Sequence, residues 1–538
     1  MPVMGWIDRN ILSLGREMRL SYLPPLMVYV AAGVSTLTGI VGTFFVKEYL
    51  GLSAEFLAAL GFWAGIPYVL KMPLGHLVDL MWRYKAALLV LGAVLIAVSL
   101  VIMYGLIAHT ARMRAALPIE TWFIVAALIA PIGYVLQDVV ADAMTVEAVP
   151  RIDAAGAPIP DATRKLMNTT MQTLGRVAII GGSLLVAVVN LVLFSDVQTL
   201  AQEAKAAIYG RVYALALVIP LVSVLGVVLQ GVLVRRELRR LRRLGLSSEE
   251  IDRAMPGRAN DTRPNWWILG GSLGFVAFSL GVGFSDSRYS AEIVFFGSLA
   301  IVLFLIARIT RVLDPEARRT LIGTALVIFV FRATPTAGEG LNWWMIDELK
   351  FDQQFFALLS LIGSSLTLAG MFIFRRFMAE RSIAYVVGTL TIFGTLLALP
   401  TLALYYGVHH WTAAMTNGVV DARFIAIVNT ALESPLGQIA MIPMLAWIAQ
   451  SAPAALKATF FAVMASFTNL ALSASQLGTK YLNGMFTVTR EVRDAAGQIT
   501  VPADYGELGI LLITVICIGF AAPMAAILLA RVARLQSA

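Results

Sequence analysis

The sequence predicts an all-α polytopic membrane protein, and three observations support this prediction. Of 538 residues, 59% are hydrophobic and only 14% are charged, whereas soluble domains contain about 25% charged residues. The mean hydropathy is +0.80. The apolar residues form runs of about 18 or more, which is long enough for a helix to cross roughly 30 Å of hydrocarbon. These observations exclude a soluble globular protein.

The first apolar run, residues 23–46, follows a polar N-terminal segment. Residues 1–22 hold Arg9, Arg16 and Arg19 and lack a small-residue cleavage site after a short apolar core. We therefore predict a retained membrane helix rather than a signal peptide. Apolar residues recur at near-helical spacing within residues 1–22, which predicts a cytoplasmic amphipathic helix on the membrane surface. A frayed tail is the alternative.

Fourteen such runs follow one another in the pattern six, two, six. The first six occupy residues 23–234, two occupy residues 265–311, and the last six occupy residues 320–534. The polar segment 235–264 opens with six arginines between Arg235 and Arg243. The sequence therefore predicts two six-helix bundles, a basic linker and about fourteen transmembrane helices, of which two are inserted between the bundles.

The distribution of basic residues predicts how the helices are oriented. Segments rich in Lys and Arg resist translocation and stay in the cytoplasm. With the N-terminus inside, most of the 41 Lys and Arg residues fall in inner segments. We therefore expect both termini and the linker in the cytoplasm, and a bacterial inner membrane as the location. This bias explains the net charge of +8, so the charge does not indicate nucleic-acid binding.

Two six-helix bundles joined by a long cytoplasmic loop are typical of major facilitator transporters, which hold substrate between the halves. The turn after the second span, PLGHLVDLMWRYK, strengthens this resemblance. It contains a glycine, an acid four residues later and then basic residues: Gly75, Asp79, Arg83 and Lys85. Glycine permits a close turn, and the acid can meet a helix N-terminus in one conformation only. We interpret Asp79 as a conformational latch, with a topology-setting loop as the alternative.

Eight ionisable residues lie within the predicted spans. Each costs about 3 kcal/mol at the centre of a membrane helix, so they must face one another, water or a ligand. The bases are Lys71, Arg176, Arg332 and Lys480, and the acids are Asp138, Asp142, Glu339 and Glu433.

The two aspartates of the fourth span are four residues apart and share one helix face. Arg176 lies at a similar depth in the fifth span, so the sequence predicts a pair between Asp142 and Arg176. This pair is either a structural staple or a proton-coupled switch. In the switch, one carboxylate is crowded by the other and takes a proton when the arginine moves away.

The ninth apolar run contains helix breakers at mid-membrane. Pro335, Gly338 and Gly340 weaken the helix, which is tolerated mainly where the backbone lines a cavity or a partner helix repairs it. Glu339 lies on this stretch, about two turns after Arg332. We therefore predict that both side chains project towards one cavity.

A tryptophan follows this acid at helical spacing. Trp343 lies four residues after Glu339 and can place its indole beside the carboxylate. This arrangement suits a flat heteroaromatic ring that stacks on the indole and hydrogen bonds to the carboxylate. A packed tryptophan near the outer interface is the alternative, and that alternative is favoured for Trp344.

Two later spans also combine charged and polar groups. In the twelfth span, Glu433 is followed by Pro435, Gly437 and Gln438, and we expect Glu433 and Gln438 to bind substrate. The thirteenth span has a polar stripe on one helix face, which we expect to line the substrate cavity. Interhelical hydrogen bonding, worth about 0.6 kcal/mol per bond on average, is the alternative. The stripe consists of Asn469, Ser473, Gln476 and Lys480.

Several stretches resemble the folate-biopterin transporter family of the major facilitator superfamily. They are QDVVADAMTVE at 137–147, RATPTAGEGLNWWMIDELKF at 332–351, ALESPLGQIAMIPML at 431–445 and ATFFAVMASFTNLALSASQLG at 458–478. The resemblance implies proton-coupled or exchange transport of folates or pterins by alternating access. Glu339 would then bind the pterin ring, and Arg332, Lys480 or Arg176 would meet folate carboxylates. The two inserted helices depart from the family's usual twelve spans.

Two other functions are compatible with the sequence. One is a permease for muropeptides or other organic anions, and the other is a non-transporting assembly or scaffold protein on the same fold. The scaffold would not need balanced intramembrane charges. We expect no enzyme and no cofactor, because no residue spacing indicates a metal site, a nucleophile or a phosphate-binding motif. The expected partners are a small-molecule substrate, protons and the lipid bilayer.

Overall fold

The structure is a computed structural model, and it is almost entirely helical. The residues that it describes are 13–50, 52–153, 157–195, 197, 200, 202–255, 266–283, 285, 287–312, 314–374, 377, 381–437, 439, 457–493 and 499–535. Within them, ten helices are long and apolar enough to cross a membrane. The N-terminal half of the predicted amphipathic helix, residues 1–12, lies outside the described residues.

The first six spans are formed by nine helices. They are α1 (Leu23–Val34) with α2 (Gly39–Tyr49), α3 (Ala54–Val69) with α4 (Lys71–Leu80), α5 (Lys85–Ala108), α6 (Ile119–Ala148), α7 (Asp161–Leu193), and α8 (Gln202–Ala216) with α9 (Val218–Arg243). The inserted helices are α10 (Trp266–Gly283) and α11 (Ser290–Ile309). The last spans are α12 (Pro315–Arg332) with α13 (Glu339–Asp347), α14 (Gln353–Ile373), α15 (Ile383–Tyr405), α16 (Ala422–Glu433), α17 (Lys457–Met485) and α18 (Leu508–Val532).

Short elements join these helices. The short α-helices are Ser13–Arg16, Thr110–Ala116, Ser248–Ala254 and Val408–Met415. The 3-10 turns are Leu20–Tyr22, Ser35–Thr38, Trp82–Tyr84, Thr310–Val312 and Ser434–Leu436. Between α17 and α18, the strands β1 (Val492–Arg493) and β2 (Ile499–Val501) pair antiparallel, with Arg493 opposite Ile499.

Each of the fourteen predicted spans contains a helix in the structure. Four of them are not among the ten long apolar helices, and three of these four have a physical reason. The apolar part of α10 is short, at Leu269–Gly283, the ninth span is broken, and the polar stripe lowers the hydropathy of α17. The twelfth span continues past α16 into a stretch, 440–456, that the structure does not describe.

The ninth span is interrupted where the helix breakers predict it. α12 ends at Arg332, α13 begins at Glu339, and the residues between them are not helical. Gly338 has a φ of +72°, a conformation that glycine adopts without steric strain. Helix α17 satisfies the backbone of the break, as expected of a partner helix. Ser475 donates to the Thr334 carbonyl at 2.7 Å, Asn483 donates to the Ala337 carbonyl at 3.2 Å, and the Thr336 amide donates to Thr479 Oγ1 at 2.9 Å.

The predicted linker begins as helix rather than as loop. α9 continues to Arg243, past the predicted boundary at residue 234. Leu and Arg are good helix formers, and Arg240 pairs with Glu237 one turn earlier at 2.9 Å. The following helix, Ser248–Ala254, is started by a capping box. The predicted bundle boundaries themselves remain predictions.

The helices alternate in direction, so their ends form two faces. We call one the terminal face, because the two ends of the described chain lie there. At this face Ser21 Oγ donates to the Ala148 carbonyl at 2.7 Å, which joins the start of the first span to the end of the fourth. We call the opposite one the far face, and it contains Lys47 and Asp347.

Buried apolar side chains join the two bundles at the far face. One buried cluster combines Phe44 and Tyr209 of the first bundle with Trp343, Phe355 and Tyr505 of the second. Towards the terminal face, the buried cluster around Tyr22 and Met144 draws only on the first bundle within the described residues. A further buried cluster joins Phe62 and Val69 of α3 to Met464 and Phe467 of α17, so the two bundles are packed together at the far face and also along α3 and α17.

Helices α1 and α7 cross at closely packed glycines. A Cβ atom added at Gly33 would lie 2.0 Å from the Ile179 carbonyl oxygen, and one added at Gly182 would lie 2.7 Å from the Val30 carbonyl oxygen. Small residues let membrane helices approach in this way. The crossing fixes the first span against the fifth.

We predict that Gly182→Ala destabilises the protein by about 1–3 kcal/mol, because the added methyl group overpacks the crossing. Thermal unfolding in detergent micelles measures the effect. Gly181→Ala is the matched control, since no heavy atom lies within 4 Å of a Cβ at Gly181. Equal losses in the two variants would contradict the crossing.

Candidate functional site

A cluster of charged groups lies inside the first bundle. Lys71 Nζ is 2.7 Å from Asp138 Oδ2 and 2.8 Å from Asp142 Oδ2. The Tyr29 hydroxyl donates to Asp142 Oδ1 at 2.9 Å. The aspartate side chains are each 41% exposed and that of Lys71 is 20% exposed. One lysine thus neutralises one of two carboxylates, and both carboxylates are more accessible than the lysine.

The partner that the sequence predicts for Asp142 is wrong. Arg176 forms no hydrogen bond or ion pair with Asp142, whose cation is Lys71 instead. The physical reason is the break in the second span, because Lys71 is the first residue of α4, directly after Leu70. Depth counted along straight helices does not reveal such a break.

Two arginines, one in each bundle, are close enough for their charges to interact. Arg176 lies on α7 of the first bundle, and Arg332 ends α12 of the second bundle. Both are half-buried, and the charge of Arg176 reaches Arg332 as well as Tyr29. Since two guanidinium groups repel each other, an anion placed between them would be stabilised by both.

Glu339 begins α13 directly after the helix break. Its Oε2 atom accepts a hydrogen bond from Asn342 Nδ2 at 3.1 Å, and the side chain is half-buried. A carboxylate at a helix N-terminus is stabilised by the helix dipole. Non-helical backbone separates Glu339 from Arg332, so these two residues do not share one helix face.

Trp343 is fully buried, at 1% exposure. The Arg490 guanidinium carbon lies 4.9 Å from the centre of its ring. Arg490 also donates to the carbonyls of Lys47 at 2.8 Å and Leu52 at 2.6 Å, which belong to the first bundle. In this conformation the indole therefore contacts Arg490 rather than a cavity. Trp344 is also buried, and its place near the outer interface stays a prediction.

An ion pair joins the two bundles at the far face. Lys47 Nζ lies 2.5 Å from Asp347 Oδ1, and these side chains are only 9% and 14% exposed. The Tyr505 hydroxyl donates to Asp347 Oδ2 at 2.5 Å. Burial, followed by this hydrogen bond, raises the pKa of Tyr505. Lys47 and Asp347 could not be singled out from the sequence, because both lie at span ends where charged residues are ordinary.

The polar stripe of α17 lies against α3 of the first bundle. Asn469 Nδ2 donates to the Tyr68 carbonyl at 3.0 Å. Gln476 Oε1 lies 2.8 Å from the position of a Cβ on Gly61. These contacts match the interhelical alternative. A role of Asn469 and Gln476 in substrate binding stays a prediction that requires α3 and α17 to separate.

Lys480 is paired with the inserted helices. Its Nζ atom lies 2.9 Å from Glu292 Oε1 of α11, and the side chains are 18% and 13% exposed. The Tyr481 hydroxyl donates to the same oxygen at 2.6 Å. In this conformation the counter-charge of Lys480 is therefore Glu292 and not a substrate. The sequence missed this acid, because Glu292 lies at the start of an inserted helix whose neighbours were unknown.

The twelfth span contributes one acid to the described part of the site. Glu433 ends α16, is exposed, and has no hydrogen bond or ion pair with a described residue. Gln438 lies outside the described residues. Among the residues that the structure describes, no group of three or more His, Cys, Asp or Glu side chains is arranged to hold a metal ion.

The predicted latch at the terminal face is described only in part. The side chains of Asp79 and Arg83 lie outside the described residues. Gly75 lies within α4, and open space surrounds the position of its Cβ, so the predicted close turn is wrong. Lys85 pairs with Glu147 at 2.5 Å. This pair is the described ionic contact of Lys85.

Comparison with known families identifies the chain. The model of the BT1 family matches residues 32–536. The chain belongs to the BT1 family. A segment of 165 residues is 30% identical to a protein of Synechocystis sp. (strain ATCC 27184 / PCC 6803 / Kazusa) named folate-biopterin transporter, and it covers 31% of this chain and 32% of that relative. The matched segment thus spans about a third of the relative's length.

Solved transporters share the fold of this BT1 family member. A POT family transporter in complex with 5-aminolevulinic acid has a TM-score of 0.56 at 13% identity, with 96% of each chain covered. The nucleoside transporter NupG has a TM-score of 0.53 at 12% identity, with 95% of this chain and 99% of that chain covered. The xylose transporter XylE from E. coli, in an inward open conformation, has a TM-score of 0.50 at 14% identity, with 94% of each chain covered.

These comparisons confirm the predicted fold and family. The BT1 family member has a major facilitator fold and is a multi-pass integral membrane protein. At the identities above, the solved structures bear on the fold alone.

We predict that the Glu292–Lys480 pair can be exchanged. Glu292→Lys alone and Lys480→Glu alone each place two like charges side by side, and breaking a buried pair costs about 3–5 kcal/mol. The exchanged double variant should recover at least half of the lost thermal stability in detergent. If the two single losses simply add in the double variant, Lys480 is not held by Glu292.

Proposed function

We propose that this BT1 family member transports folate- or pterin-type organic anions by alternating access and couples their movement to protons. The observation that carries the proposal is the charge arrangement inside the bundle. Two aspartates share one lysine there, and Arg176 and Arg332 are close enough for their charges to interact. Such charges are costly within a membrane and are typical of substrate and proton pathways.

The substrate class is supported by the charges and by the relative that the chain resembles. Folates carry carboxylates that two guanidinium groups can bind, and arginine suits carboxylate recognition. A reduced pterin has N–H groups that donate hydrogen bonds, and the carboxylates of Glu339 or Glu433 can accept them. The similarity to a protein named folate-biopterin transporter favours this anion over others.

Alternating access is supported by the different packing at the two faces. The Lys47–Asp347 pair and a shared apolar cluster hold the bundles together at the far face. The apolar cluster around Met144 stays within one bundle. With both termini in the cytoplasm, as the basic residues predict, the far face is the outer face, and the bundles are joined there and along α3 and α17.

Proton coupling is supported by the excess carboxylate. When both aspartates are ionised, Lys71 leaves one negative charge in the cluster. A single proton then makes the cluster neutral, which lowers its desolvation cost during movement through the membrane interior. The partial exposure of both carboxylates gives the proton a route to them.

We expect purified protein in proteoliposomes to accumulate a radiolabelled reduced folate when an inward proton gradient is imposed. Accumulation should require both protein and gradient, because uphill uptake is driven by the proton. Protein-free vesicles are the control. Absence of uptake by folded, correctly oriented protein would contradict the folate assignment and favour another organic anion, such as a muropeptide, or a scaffold role.

In the same assay, Glu339→Gln should reduce uptake about tenfold or more, since a hydrogen bond to a charged group is worth about 1.5–3 kcal/mol. The exposed Glu348→Gln is its matched control, and wild-type uptake by Glu339→Gln would remove Glu339 from the substrate site.

A further inference from the structure

The second span contains a hinge. α3 ends at Val69 and α4 begins at Lys71, and Leu70 between them has a ψ of 4°. Pro67 lies inside α3 and has no amide proton to donate. The Leu70 amide donates back to the Pro67 carbonyl at 3.1 Å. Kinks in long helices form at such prolines, so α3 and α4 can change their mutual angle here.

The lower side of the hinge is tied to the first bundle. Lys71, the first residue of α4, forms its two ion pairs with Asp138 and Asp142 of α6. Helix α10, which also packs on α4, has no titratable residue. The other titratable or charged groups around the cluster are Tyr29 on α1, Tyr68 on α3, Tyr134 on α6, Arg176 on α7 and His76 on α4.

The upper side of the hinge is tied to the second bundle. The Tyr68 carbonyl accepts the hydrogen bond from Asn469 of α17. Further up α3, Gly61 and Gly65 face Gln476 and Ser473 so closely that a Cβ would lie 2.8 Å and 3.0 Å from these side chains. α17 also packs against α4, and its polar contact beside the hinge, from Asn469 to Tyr68 of α3, is uncharged. Movement at Leu70 therefore changes how the two bundles are oriented.

We propose that Lys71 is a positioning residue that converts protonation of the Asp138–Asp142 pair into movement at the α3–α4 hinge. This inference rests on the proposed proton coupling. With both carboxylates ionised, Lys71 holds α4 on α6. When a solvent proton binds one carboxylate oxygen, one ion pair becomes a contact with a neutral acid. The attachment of α4 to α6 through Lys71 weakens, and α4 is then free to move with α17. The proton returns to solvent when Lys71 forms both ion pairs again.

Two transport assays separate this role from a merely structural one. Proteoliposomes with Lys71→Gln should lose gradient-driven accumulation by about tenfold or more, because loss of a buried ion pair shifts a coupled equilibrium by at least that factor. Exchange of labelled for unlabelled folate at equal pH needs no net proton movement, so it should stay within about threefold of the wild type. Lys71→Arg should retain both activities. Parallel loss of both activities in folded Lys71→Gln would overturn the proposal. Arg112 is exposed, so Arg112→Gln is the control for the loss of a positive charge elsewhere in the protein.

A distance measurement tests the hinge without any substrate. Spin labels at Met81, after α4, and Ile373, at the end of α14, report the separation of the bundles at the terminal face. Both positions are exposed, and Cys517→Ser removes the exposed native cysteine. The distance should change between acidic and alkaline pH in the otherwise native protein and stay constant in Lys71→Gln. A pH response that is absent from the native protein, or equal in both, would overturn the hinge. If the distance behaves as expected while folate is not accumulated, the folate assignment fails and the hinge stands.

Discussion

The cost of placing a charge in hydrocarbon is the constraint on which the rest of this structure depends. One ionised group at the centre of a membrane helix costs about 3 kcal/mol, against a total stability of about 5–15 kcal/mol for a typical protein. The structure meets this cost with ion pairs between helices, and each pair determines which helices stay together. Lys71 with Asp138 and Asp142 joins α4 to α6, Lys47 with Asp347 joins α2 to α13, and Lys480 with Glu292 joins α17 to α11.

Helix α17 connects the parts of the molecule that can move. It donates to the backbone of the broken ninth span, contacts the carbonyl just above the hinge of the second span, and is paired with the inserted helices. The span interrupted at Leu70 and the span interrupted between Arg332 and Glu339 belong to different bundles, and both are weakened by proline. A transporter that alternates between two faces needs stiff units and a few joints. Here the breaks in these two spans lie beside charged residues, so the binding of a proton or substrate and the movement of the helices can involve the same residues.

The sequence predicts the helices well and their partners poorly. Apolar runs and breakers such as Pro335 and Gly338 depend on local chemistry, so the spans and the break could be predicted. The partner of Asp142 depends on the turn at Leu70, and the partner of Lys480 depends on where the inserted helices dock. Trp343 is covered because a loop distant in sequence folds back over it. Such contacts follow from tertiary geometry, which residue spacing does not encode.

The most direct test of the central claim is the number of protons exchanged when substrate binds. Calorimetric titration of a reduced folate into the purified protein, in two buffers of different ionisation enthalpy, measures this number. The account predicts that the apparent binding enthalpy differs between the buffers and that the difference disappears when Asp138 and Asp142 are both changed to Asn. Binding with the same enthalpy in both buffers would show that the cluster exchanges no proton with bound substrate, and would contradict the account.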